Sequence, residues 1–280
     1  MKVEYVKDGV ILSDADGFSL EQTLNCGQCF RWIKDEDNVW HGVVRGKKAT
    51  LREAEGTIYF EKVSPADFET IWRDYFDLAR DYRALKNSFS ENSLLREACS
   101  YASGIRVLRQ EPWEAYITFV ISQNNNIARI KGLVERLCEA FGEEFPEGGY
   151  CFPSAEKLSQ ATEERLRTLG FGYRSAYIKK AADEVASGRL VLEDLRDMEL
   201  LAAKKRLMQI PGIGPKVADC VLLYGLGRTE CCPQDVWMKR VLSAFGGALP
   251  DCVENYAGIA QQFLFHFARN YPEKFVIIKA

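Results

Sequence analysis

Up to about residue 63 the apolar positions come in short, alternating runs. VEYVKDGVIL, QCFRWIK, NVWHGVVRG, KATLREAEG and TIYFEKV are rich in β-branched and aromatic residues, and Gly, Asp and Asn punctuate them. That pattern predicts strands in an antiparallel, meander-type sheet. The period changes at SPADF. Ser64 followed by Pro65 is a helix-start signal, an N-cap with proline at the first helical position. From there apolar residues recur at spacings of three and four in FETIWRDYFDLARDYRALKNS, NSLLREACSYASG, PWEAYITFVISQ, NIARIKGLVERLCEAFG, YRSAYIKKAADEVASG, DMELLAAKKRLMQI, VADCVLLYGLG, DVWMKRVLSAFG and NYAGIAQQFLFHFARN, which predicts helices. Gly142, Gly170, Gly188, Gly212 and Gly246 fall where C-caps or turns belong. The expected class is α+β: an N-terminal antiparallel sheet domain with trailing helices over residues 1–105, then a mostly α-helical region over 106–280.

Composition narrows the partners. The 280 residues are 47% hydrophobic and 28% charged, enough to bury a core without staples. No apolar run approaches the roughly 20 residues that span a bilayer, and the charged start MKVEYVKDGV lacks an apolar leader. A cytoplasmic, non-secreted protein without membrane contact is expected. The 9 cysteines, odd in number and scattered, predict free thiols in a reducing compartment. Cys26 and Cys29 in CGQC have redox or half-zinc spacing. With 2 His and no second Cys-x-x-Cys, no metal is expected. A net charge of −3 argues against bulk electrostatic binding of nucleic acid. Residues 1–105 carry 14 Lys and Arg against 18 Asp and Glu, whereas 106–280 carry 23 against 22. A nucleic-acid face must therefore be a local patch in the second half.

The chemistry concentrates at IPGIGPKVADC, residues 210–220, which reads as a helix, a tight turn and a second helix. Its glycines let the backbone turn sharply and approach a partner closely. The second helix offers free N–H groups to an anion such as a DNA phosphate. Lys216 opens that helix and shares a face with Asp219 and Cys220. Two readings stay open on chemistry alone. Partial burial would depress the lysine pKa and make a neutral, Schiff-base-forming nucleophile; otherwise the lysine is solvated or paired with Asp219. Asp235 sits where an N-cap belongs, and a capping carboxylate is also a fixed negative charge suited to an oxocarbenium-like transition state.

A helix-hairpin-helix turn, then Lys216, then Asp235 resembles the helix-hairpin-helix DNA glycosylase superfamily. NCGQCFRW, QNNNIARIKGLVERLC, LGFGYRSAYI, PGIGPKVADC and YAGIAQQFLF, in that order, resemble the 8-oxoguanine DNA glycosylase/lyases over nearly the whole chain. The resemblance implies a bifunctional enzyme that flips 8-oxoguanine out of duplex DNA, excises it opposite cytosine and nicks the strand. Lys216 matches the nucleophile and Asp235 its acidic partner. The Gly27 carbonyl matches the acceptor that reads the lesion's N7–H. Gln261 and Phe265 match the residues that read and stack on the base, and Cys220 matches the opposite wall. Asn124 matches a wedge filling the vacated space, Arg129 and Arg174 the grip on the widowed base, and Tyr173 a second wedge. The hairpin amides of Gly212, Gly214 and Val217 match phosphate donors, with a monovalent cation possible on the turn carbonyls. No organic cofactor and no Fe–S cluster is implied, and a monomer suffices. Cys29, Trp237, Pro215 and Tyr224 depart from the common pattern, which often has serine, histidine, a residue bearing an N–H, and methionine there. The rival readings are a monofunctional glycosylase for another damaged purine, a non-catalytic helix-hairpin-helix DNA-binding module and a thiol-redox protein built on CGQC.

Overall fold

The computed structural model describes residues 1–275. Six strands form one antiparallel sheet: β1 (Lys2–Val6), β2 (Gly9–Ser13), β3 (Trp32–Lys34), β4 (Trp40–Val44), β5 (Lys47–Ala54) and β6 (Thr57–Glu61), in the order β1-β2-β6-β5-β4-β3. Register pairs Val10 with Phe60, Leu51 with Phe60 and Trp40 with Leu51, so one face is apolar across the sheet. That face closes over Trp32, Phe68, Trp72 and Phe76, all within 1% of full burial. The expected antiparallel sheet is present, with two differences. Only β3 to β6 run as a meander, because β6 returns to pair with β2 rather than β2 with β3. The strand read from QCFRWIK is confined to Trp32–Lys34, and Cys26–Arg31 is a turn.

The helices are α1 (Leu20–Leu24), α2 (Pro65–Asp67), α3 (Arg73–Tyr75), α4 (Tyr82–Phe89), α5 (Ser93–Tyr101), α6 (Pro112–Ile121), α7 (Ile127–Phe141), α8 (Ala155–Ser159), α9 (Glu163–Thr168), α10 (Arg174–Ala186), α11 (Leu200–Met208), α12 (Pro215–Cys220), α13 (Val236–Ala244) and α14 (Ala257–Asn270). Ser64 and Asp235 cap as expected, accepting from the N–H of Asp67 and of Met238. The single helix expected from FETIWRDYFDLARDYRALKNS is broken. A π-turn at Phe68–Trp72 leads into α3, Asp77 adopts φ 48°, and Asp81 caps a new helix by accepting from Arg83 and Ala84. The Asp77 carboxylate holds the break, accepting from Arg80 and Tyr82. A second core gathers around α6, which is buried from Ala115 to Ile121 and packs on α10, α12 and the Val221–Gly225 π-turn. The helices α4 and α5 precede residue 105 yet pack into this helical core.

Where the sheet domain meets α6, Glu114 lies 3.8 Å from Arg31, the two side chains 13% and 10% exposed. Burial pushes the Glu114 carboxyl up to about 7, against the pull of Arg31. An acid raised in the fold adds most stability below its unfolded value, and that contribution is lost as pH rises through 7. Glu114→Gln should therefore flatten the decline in Tm between pH 5 and pH 8. An unchanged slope would mean the carboxyl is not the group that titrates.

Candidate active site

Lys216 stands in the first turn of α12, whose N-cap is Gly214, a residue with no side chain to satisfy the free N–H groups. Its side chain is half-buried. Nζ lies 3.3 Å from Ser122 Oγ and 5.2 Å from the centre of the Phe119 ring. Asp219, one candidate partner from sequence, is engaged elsewhere: its carboxylate meets Lys204 of α11 at 2.6 Å. Burial pushes the Asp219 carboxyl up, and Lys204 opposes that shift. The ion pair ties the two helices of the hairpin together and leaves Lys216 without a carboxylate on its own helix. Cys220 is buried beside Lys216; burial raises its thiol to about 11, while the lysine charge and the negative charge of Asp235 act on it in opposite directions.

The lesion-reading candidates converge from the far ends of the chain. Gly27 has φ +86°, a conformation that favours glycine, and a Cβ there would sit 3.2 Å from Ile127 Cδ1 and 3.6 Å from the Phe265 ring. Gly27 and Phe265 are thus in contact range. Phe265 carries the Arg269 guanidinium at 5.5 Å from its ring centre. A cavity of about 690 Å³ opens beside them, bounded by Asn25, Ile127, Ala128, His266 and Arg269. A larger one, about 870 Å³, lies between the outer sheet face and α7, away from Lys216. Gln261 is buried, its Oε1 3.4 Å from the Tyr224 hydroxyl. The Gly27 turn is anchored from within. The Gln28 amide donates to Arg106 O at 2.7 Å and Thr23 O at 2.9 Å, and accepts from Leu108 N–H at 2.9 Å.

Cys26 and Cys29 are both free and buried, and burial raises both thiols, Cys26 to about 12. A thiol held neutral is neither nucleophile nor metal ligand at neutral pH. Among the described residues no three His, Cys, Asp or Glu side chains come together to hold a metal.

A third group lies at the α6–α7 corner. Asn126 caps α7 by accepting from Arg129 N–H at 2.9 Å. Asn124 is exposed with φ 48°, and Arg129 is exposed beside it. Arg174 is 4% exposed, and its guanidinium donates to the carbonyls of Gln123 and Asn124, the latter at 2.9 Å. It holds the asparagine loop rather than reaching outward. Tyr173 is 49% exposed and packs edge-on against Tyr177, with ring centres 5.8 Å apart. Tyr177 in turn lies against Gly212 of the hairpin, so α10 links the loop to the hairpin. Gly212, Gly214 and Val217 N–H groups find no acceptor among the described residues. Trp237 is covered by Arg240 at 5.0 Å. The sequence reading did not single out Ser122, Phe119, Lys204, Gln110 or Gln262. The adjacent amides Gln261 and Gln262 within apolar α14 were the one local signal for any of them.

A half-buried lysine at the head of the hairpin's second helix, followed by an aspartate that caps α13, is the arrangement expected of the helix-hairpin-helix class of base-excision glycosylases. Comparison with known proteins agrees. Residues 10–116 match the model of the 8-oxoguanine DNA glycosylase N-terminal domain, and residues 117–263 that of the HhH-GPD superfamily of base excision DNA repair proteins. The N-glycosylase/DNA lyase of Saccharomyces cerevisiae is 34% identical over 263 residues, covering 84% of this chain and 70% of the relative. The 8-oxoguanine glycosylase/lyase of Clostridium acetobutylicum, solved with duplex DNA containing cytosine opposite 8-oxoguanine, is 31% identical with a TM-score of 0.90, over 97% of this chain and 99% of that one. MBOgg1, solved with a low-affinity DNA ligand, is 36% identical with the same TM-score and coverage. The chain belongs to the 8-oxoguanine DNA glycosylase family.

Proposed function

We propose that this protein is a bifunctional DNA glycosylase and lyase that removes 8-oxoguanine from duplex DNA in base excision repair. The observation that carries the reading is Lys216, half-buried against Ser122 and Phe119 with no carboxylate partner among the described residues, at a helix start whose N–H groups find no acceptor among them. As neutral amine, Nζ attacks C1′ of the flipped nucleotide. The C1′–N9 bond breaks with its electron pair leaving on the base, which takes up a proton. Asp235, fixed by its cap, supplies negative charge beside the developing sugar cation. Nζ gives up one proton to the departing base. The C1′–O4′ bond then opens, O4′ taking up the second, and leaves a Schiff base between Nζ and C1′. Once protonated, the Schiff base loses a C2′ proton and expels the 3′ phosphate oxygen, and water then releases Lys216.

Recognition is assigned to Gly27, Gln261, Phe265 and Cys220. A lesion N7–H donating to the Gly27 carbonyl distinguishes 8-oxoguanine from guanine, whose N7 would oppose that carbonyl lone pair to lone pair at a cost of roughly 1–3 kcal/mol. Asn124, Arg129, Tyr173 and Arg174 hold the opened duplex; Arg174 exchanges the loop carbonyls for the widowed cytosine. Gly212, Gly214 and Val217 amides receive phosphate. The carbonyls of Pro211, Gly212 and Ile213, which accept no backbone hydrogen bond among the described residues, suit a monovalent cation. A monomer suffices for every step, and the free thiols suit a reducing cytosol or nucleoid.

Borohydride trapping tests the reading. Wild-type protein on a duplex with one 8-oxoguanine opposite cytosine should give a covalent protein–DNA band, and an undamaged duplex should give none. Base release without a band would make the enzyme monofunctional. Neither release nor band would leave the hairpin as a binding device.

A further inference from the structure

Three successive carbonyls in the recognition turn are treated differently. Cys26 O accepts from Gln262 Nε2 at 3.2 Å, and Gln28 O accepts from Gln110 Nε2 at 2.6 Å. Between them, Gly27 O receives no donor among the described residues. Both amides lead to one residue. Gln262 Oε1 accepts from the Tyr224 hydroxyl at 2.6 Å, and the backbone N–H of Gln110 donates to Tyr224 O at 2.7 Å. The orientation of Gln262 is unambiguous: a carbonyl can only accept, so Nε2 must face Cys26 and Oε1 must face the tyrosine. Gln262 is 1% exposed and Gln110 4%. The Tyr224 ring stacks on Phe119 at 5.1 Å and 17°, and Phe119 carries Lys216 on its face.

We infer that Tyr224, Gln262 and Gln110 are positioning residues for lesion discrimination: they hold the peptides on either side of Gly27 so that its carbonyl alone is presented to the base. The inference rests on the substrate reading above. Removing one buried partner leaves the others unsatisfied and lets the turn reorient. The shared anchor, Tyr224, also sits under the nucleophile's platform. A base therefore meets a recess whose reading edge and attacking edge are set from one side chain. This gives the tyrosine that departs from the common pattern a use that methionine, which lacks a hydroxyl donor, could not serve.

The test separates reading the base from everything else the enzyme does. Single-turnover release of 8-oxoguanine is measured beside strand nicking at a preformed abasic site, which offers no base to read, and beside affinity for a duplex carrying a tetrahydrofuran site. Gln262→Met should slow base release roughly tenfold, the equivalent of one buried hydrogen bond, and leave nicking and affinity unchanged. Tyr224→Phe, which keeps the ring on Phe119, should act in the same direction and add little to Gln262→Met, because both cut one chain. Equal losses in release and nicking would show a structural role only and overturn the inference. Unchanged release in both variants would overturn it too, with an active wild type leaving the substrate reading intact. A wild type inert on 8-oxoguanine would overturn that reading and this inference together.

Discussion

Lys216→Gln should abolish the borohydride-trapped adduct and strand nicking, and slow base release by a factor on the order of 10⁴ or more, the scale seen when a covalent nucleophile is removed. Glutamine, one atom shorter and still polar, has an amide nitrogen whose delocalised lone pair cannot attack C1′. The change should be nearly silent elsewhere. Among the described residues Lys216 makes one side-chain hydrogen bond, to Ser122 at 3.3 Å, and no ion pair. Tm should therefore hold, and affinity for a tetrahydrofuran duplex should fall only modestly. A variant that still nicks at the wild-type rate would sink the assignment. A variant that loses duplex affinity by orders of magnitude would make Lys216 a phosphate ligand instead.

This prediction is sharp because of a contact the sequence does not show. From spacing alone Asp219 could have paired with Lys216, three residues before it on the same helix. The structure gives Asp219 to Lys204, across the hairpin on α11. What was legible in the sequence is what is local: the caps at Ser64 and Asp235, the helix-hairpin-helix turn and the change of period after Val63. Helix α1, five residues long, carries too little periodicity to register, although Ser19 caps it. The break at Asp77 depends on the side chains that its carboxylate collects. The recognition turn could be placed by resemblance to its family, but not its supports. Gln262 reaches Cys26 across 236 residues and Gln110 reaches Gln28 across 82, and neither pairing has a periodicity. Buried amides in an apolar helix are the only trace such a network leaves in a sequence, since an amide enters a core only with its partners.

The two glycines of the hairpin look alike in the sequence and should respond oppositely to alanine. Gly212 has φ +88°, and a Cβ there would fall 2.2 to 2.5 Å from atoms of the Tyr177 ring, a buttress that cannot yield without moving α10. Gly212→Ala combines a left-handed penalty of about 1–2 kcal/mol with overpacking of about 1–3 kcal/mol. At about 2–4 °C per kcal/mol for a chain of this class, Tm should drop by roughly 5–15 °C. Gly214 is an ordinary N-cap with φ −95° and nothing within 4 Å of its would-be Cβ. Gly214→Ala should lower Tm by only about 1–4 °C, the modest cost of alanine at an N-cap where no strain or clash exists. Its methyl group projects into the open space where a phosphate must approach the free amides. Affinity for the tetrahydrofuran duplex should therefore weaken on the order of tenfold. Calorimetry and a binding titration on the two variants decide the matter. If Gly214→Ala unfolds the protein or Gly212→Ala does not, the division between a glycine kept for the fold and one kept for the DNA is wrong. If Gly214→Ala binds as tightly as wild type, the hairpin amides are not where the backbone is held, and the exposed edge formed by Asn124, Arg129 and Tyr173 must carry the duplex instead.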